Sequence, residues 1–179
     1  MIGRTTVRRT EAASVDGVDA AGQDDQLIWL RRTVFYGQWF VALVAPVALF
    51  VGRTWFGAPA GWLAGFGLVM LAPPFFLALG LPVLLVAGDQ RAMRDRIVRR
   101  PYALATATLW AALVVFIASV SDPDDPASSL VVIWSRGSVS AATAGQVAML
   151  AGAVMFGAWL VALGFAVGGL LEARRRRAD

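Results

Sequence analysis

Four apolar runs, at roughly residues 34–51, 62–87, 102–120 and 147–171, have no Asp, Glu, Lys or Arg in their cores. This feature limits the fold more than any other. A helix rises 1.5 Å per residue, so about 20 residues cross about 30 Å of hydrocarbon. The first and third runs are barely long enough, while the second and fourth exceed the need and must tilt, kink or project. A charge at the bilayer centre costs roughly 2.5 to 3.5 kcal/mol on insertion scales, and these cores carry none. A buried soluble bundle is the competing architecture, but a soluble helix needs a polar stripe to face water. The segment LVMLAPPFFLALGLPVLLVA has no such stripe. The expected fold class is therefore an all-α integral membrane protein whose four transmembrane helices form a bundle, with a Pro-kinked second helix. A hydrophobic content of 58% against 16% charge agrees with that class, as does a mean hydropathy of +0.66.

Charge placement predicts the orientation. All sixteen basic residues are arginine, a usage that fits a GC-rich, bacterial genome. Arg31 and Arg32 precede the first run, and Arg91, Arg94, Arg96, Arg99 and Arg100 fill the second connection. Arg174, Arg175, Arg176 and Arg177 follow the last run, whereas the other two connections hold only Arg53 and Arg136. Arginine concentrates in short cytoplasmic segments, so both termini and the second connection are expected inside, in the cytoplasmic (inner) membrane. An even number of spans requires the same. Despite RRTVF before it and APA at 58–60, the first run is read as a span: it is long for a leader, and three more spans follow.

Residues 1–26 are polar and poor in apolar surface, so they are expected to be a disordered cytoplasmic tail, with Asp24 or Asp25 capping the first helix. Residues 27–173 form the transmembrane domain, and 174–179 a basic cytoplasmic tail. The stretch GDQRAMRDRIVRRP at 88–101 spaces Arg91, Asp95 and Arg99 four apart and puts Met93 and Ile97 on one face. That spacing predicts a short interfacial helix ended by Pro101, with arginines on anionic headgroups. These arginines and Arg174–Arg177 are the expected topology and headgroup residues.

Pro73, Pro74 and Pro82 each remove a backbone N–H inside the second span and predict its kink. Ala103, Ala107 and Ala111 recur at every fourth position, and Gly164 and Gly168 repeat the spacing in the fourth span; such faces let helices approach closely. Trp110 and Trp159, deep in their spans, are read as packing residues. Asp122, Asp124 and Asp125, interspersed with prolines, are read as a solvated turn rather than a cation site. Leu130–Trp134 is too short to span and is expected to lie on the outer surface or dock on the bundle.

Cysteine and histidine are absent. Without them the chain cannot build a thiol nucleophile, a Ser-His-Asp triad, a haem axial histidine or the usual zinc sites. No catalytic, cofactor-binding or metal residue is assigned, and no enzyme activity or cofactor is expected. The arginine stretch lies against a bilayer with no recognition fold around it, so nucleic acid is not an expected partner. The expected role is a non-catalytic accessory, assembly or scaffolding subunit of a membrane complex, in contact with the lipid bilayer and with a membrane protein partner or further copies of itself. The alternative is a component of a transporter or pore, acting as an oligomer or with a partner.

Overall fold

A computed structural model describes the backbone of residues 6–178 and the side chains of residues 27–89 and 92–175. Every regular element among the described residues is helical. Helix α1 is α-helical over Thr6–Val47, becomes a π-helix over Ala48–Gly52 and closes with Arg53–Trp55. Helix α2, Leu63–Ala87, is π-helical over Leu63–Leu71 and α-helical over Ala72–Ala87. The short α3 (Gln90–Asp95) leads into α4 (Arg100–Ser119). A 3-10 turn at Pro126–Ser128 and the short α5 (Leu130–Trp134) lead into α6 (Ala141–Ala178). Among the described residues, four segments are long and apolar enough to cross a membrane: Leu27–Trp55, Leu63–Ala87, Arg100–Ser119 and Ala141–Arg175.

Helix α1 starts far earlier than expected, so there is no helix N-terminus at Asp24 or Asp25 to cap. Adding a residue to a nucleated helix is far easier than starting one, and residues 6–26 contain no proline to stop it. Residues 1–5 of the expected tail lie outside the described residues.

The expected break in the second span takes the form of a change of helix type. Pro73 and Pro74 occupy the first turn of its α-helical part, and neither can donate a backbone hydrogen bond. Just before them the Ala72 N–H reaches back five residues to the Gly67 carbonyl, which is π-helical bonding. The wider π segment of α2 packs on the π segment of α1, where a Cβ on Gly67 would run into the Phe50 ring at 2.5 Å. Nearer the other end, a Cβ on Gly37 would meet the Trp110 ring at 2.7 Å, so glycine there lets α1 and α4 close on a bulky side chain.

Helix α4 packs most extensively against α6. Buried small side chains lie on both helices, and Ala103 and Ala105 of α4 share one cluster with Ala162 and Ala166 of α6. Two apolar clusters complete the interior. One, around Val34, Val98 and Tyr102, lies near the arginine-rich end; the other, around Ala42, Leu79 and Leu109, lies in the middle, and Trp110 touches both.

Candidate functional site

Polar chemistry collects at the two ends of the bundle. At the basic end, Arg99 links three helices: its Nη2 donates to Glu172 Oε2 of α6 at 2.7 Å, and its Nε lies 3.6 Å from Asp89 Oδ2, just beyond α2. The Glu172 hydrogen bond leads in raising the Arg99 pKa above its ordinary value, and the charges of Glu172 and Asp89 add to it against partial burial. A Cβ on Gly169 would stand 3.0 Å from Asp89 Oδ2 and 3.4 Å from Arg99 Nε, so the glycine gives this cluster its room. On the facing helix, Arg31 Nε donates to the Val98 carbonyl at 2.6 Å and ties α1 to the same connection. Between these groups lies a cleft of about 430 Å³ lined by Arg31, Asp89, Asp95, Arg99 and Arg100, with Ala92, Ile97 and Pro101 as its apolar wall.

The connection that forms this cleft differs from the single interfacial helix the spacing predicts. Helix α3 stops at Asp95 because Arg96 turns left-handed, at φ 53°, a common way to end a helix. Asp95 and Arg99 therefore do not share a helix face. Pro101 does not end a helix but sits in the first turn of α4, where its missing N–H costs nothing. Met93 is exposed and Ile97 half-buried.

At the opposite, capped end, the acidic loop is not a solvated turn throughout. Asp124 and Asp125 are exposed, but Asp122 is 5% exposed. Its Oδ1 accepts the Leu63 N–H at 2.9 Å, supplying a cap to α2 from a loop far away in the chain. Its own N–H donates to Ser128 Oγ at 2.7 Å, and that hydroxyl donates to the Asp125 carbonyl at 2.7 Å. A Cβ on Gly61 would collide with the Asp122 carboxylate. Arg53, 4% exposed, donates through Nη2 to the Ser128 carbonyl at 3.0 Å, within reach of the Asp122 charge; its Nε is buried without a partner. Helix α5 docks here through buried Leu130, and Trp134 Nε1 donates to the Phe56 carbonyl at 3.1 Å. Among the described residues, no group of three or more acidic side chains is arranged to hold a metal ion.

Among the described residues, two side-chain hydrogen bonds join helices between the ends. Tyr102 donates its hydroxyl to Gln38 Oε1 at 2.8 Å, joining α4 to α1. Both residues border a cavity of only about 20 Å³, room for about one water. In the second contact, Trp159 Nε1 donates to the Ala78 carbonyl at 2.7 Å. Ala78 stands four residues before Pro82, so its carbonyl is the one that Pro82 leaves without a helical donor. The indole of α6 supplies the missing bond to α2.

The structure sorts the residues picked out by spacing. Ala103 is buried, Ala107 half-buried and Ala111 exposed, because a step of four residues overshoots a full turn by about 40° and drifts off the contact. Gly164 and Gly168 have nothing within 4 Å of a built Cβ; in this part of α6 the buried residues are their neighbours Ala162, Ala166 and Gly169. Arg94, Arg96, Arg100, Arg174 and Arg175 are exposed, while the side chains of Arg91, Arg176 and Arg177 lie outside the described residues. The cleft joins Arg99 and Arg100 to Arg31, Asp89 and Asp95. Sequence spacing could not supply that grouping, since it pairs only near neighbours on a helix.

No protein-family model, curated protein or solved structure matches this chain, so its function is argued from its own residues.

Proposed function

We propose that the chain is a multi-pass protein of the cytoplasmic membrane, both termini inside, that acts without catalysis as an accessory, assembly or scaffolding subunit. The observation that carries this reading is the double-faced fourth span, α6. Only 17% of its most apolar window is buried within the chain, against 22% for the second span and 44% for the first and third. Its inward face, with Ala148, Ala151, Ala162 and Ala166, packs on this chain. On the other side Ala153, Gly157, Gly164 and Gly168 are exposed. At 100° per residue these four fall within about 60° of arc. Lipid contact alone gives no reason for such a small-residue face, whereas close approach of another helix does. The non-catalytic part rests on chemistry: a chain with neither cysteine nor histidine lacks the usual nucleophile and metal-ligand sets.

The test is purification in mild detergent of the native chain and of Gly164→Leu/Gly168→Leu. A stoichiometric membrane partner or second copy that accompanies the native chain and is lost from the variant supports the reading. A monomer without partners in both preparations, from cells in which the chain is at its natural level, contradicts it.

A further inference from the structure

A polar group buried in an apolar bundle needs a partner, and one group in the interior of this chain is not given one by the fold. Gln38, Tyr102 and Thr106 are each 2–4% exposed. A threonine inside a helix commonly gives its hydroxyl to the carbonyl four residues before it. Thr106 Oγ1 does not, and it has no hydrogen-bond partner among the described residues. Thr106 neighbours the Tyr102 hydroxyl, but that hydroxyl donates to Gln38 Oε1 at 2.8 Å instead. A buried hydroxyl left unmatched opposes folding, so a donor or acceptor from outside the chain is favoured at this point.

The adjoining space sets the size of what can supply it. The cavity of about 20 Å³ is lined by all three polar side chains and by residues of each of the four long helices, among them Ala42 of α1, Pro82 of α2 and Ala162 of α6. A water needs roughly 10–15 Å³ by this measure and two to four polar partners, whereas an organic ligand needs a pocket of about 300 Å³ or more. No charged side chain lines the cavity, and a hard cation is poorly held without carboxylates. The hydrogen-bonding inventory suits water. Tyr102 Oη has given its proton to Gln38 and keeps a lone pair, the Gln38 amide still has N–H groups to donate, and the Thr106 hydroxyl can do either. Toward the basic end, Val34 and Val98, 0% and 1% exposed, pack with Tyr102 and fill the route from the charged cleft with apolar side chains.

We infer that this cavity binds a single ordered water that hydrogen-bonds to Thr106 Oγ1, Tyr102 Oη and Gln38 Nε2. This goes beyond the scaffolding reading and does not depend on it. The water accepts from the Gln38 amide and donates to the Tyr102 oxygen, and Thr106 takes a third position. The direct bond between α1 and α4 thereby becomes a three-residue polar rung at the place where all four spans meet.

The test is a crystal structure of the full-length protein, native and Thr106→Val, at a resolution that shows ordered water. In the native chain the inference predicts a density peak about 2.7–3.2 Å from Thr106 Oγ1 and from at least one of Tyr102 Oη and Gln38 Nε2. Thr106→Val keeps the side-chain shape and removes the hydroxyl, so the peak should fall to roughly half its native occupancy or less. Three native results would overturn the inference: no peak, a Thr106 hydroxyl turned onto the Tyr102 carbonyl, or a peak ringed by oxygens at about 2.3–2.6 Å, which marks a cation. An undiminished peak in Thr106→Val would overturn it as well, since the hydroxyl would then not hold the water. Should Thr106→Val not fold, the native structure alone is decisive.

Discussion

Asp122 shows how much one side chain does at the capped end. It caps α2 through Leu63, sits against Gly61 and faces the buried Arg53. Replacing it with alanine leaves the Leu63 N–H without its acceptor and Arg53 without its counter-charge, so Asp122→Ala is expected to cost about 3–5 kcal/mol. Asp122→Asn keeps an acceptor and should cost about 1–3 kcal/mol. Gly61→Ala, which pushes a methyl group into the carboxylate, should cost about 1–3 kcal/mol with no change in charge. Denaturant unfolding of the reconstituted protein checks that Asp122→Ala is the more damaging of the two substitutions at this position; equal costs for Asp122→Ala and Asp122→Asn would contradict a role for the retained acceptor. None of this can be read locally. Asp122 and Leu63 are 59 residues apart, and the loop sequence SDPDDP looks like any solvated turn.

Among the elements, α2 departs furthest from regular helix, and its prolines explain most of the departure. The sequence makes the break legible, because Pro73, Pro74 and Pro82 cannot donate. It does not reveal that a π segment absorbs the first two or that an indole from α6 repairs the third. One arithmetic signal existed: Ala78 is four residues before Pro82, so its carbonyl needed a donor from elsewhere. Finding Trp159 required the fold. Trp159→Phe should cost about 1 kcal/mol by removing that bond. In a Pro82→Ala background, where residue 82 has an N–H to offer Ala78, the same substitution should cost less. A double-mutant cycle on unfolding free energies reads the difference, expected at roughly 0.5–1.5 kcal/mol. Additive costs would mean that the Trp159 bond does not compensate for the proline.

At the scale of the whole molecule, four long apolar helices and the gathering of most arginines away from the acidic loop were both legible, because hydrophobic run length and charge are linear properties of the sequence. The clasp around Arg99 was not, since α3 ends at Asp95 and sends Arg99 to partners on other helices. Arg99→Gln should loosen the junction of α2, α4 and α6 by about 1 kcal/mol, the scale of a partly exposed ion pair. Its pKa is raised in the folded state, so the stabilisation is fully present below the ordinary guanidinium value and is lost only above it. The difference between native and Arg99→Gln should therefore stay constant from about pH 7 to pH 10, a range in which carboxylates are also ionised. A difference that fades within this window would mean that another group controls the junction.

The proposed function places the arginine-rich end on the cytoplasmic side of the membrane and the capped end outside. The chain has no cysteine, so single cysteines report without background. Met93 in α3 and Ala127 in the outer loop are both exposed. With a membrane-impermeant thiol reagent applied to intact cells, Ala127→Cys is expected to label, and Met93→Cys only after the membrane is opened. Labelling of Met93→Cys from outside, with Ala127→Cys protected, would contradict this orientation.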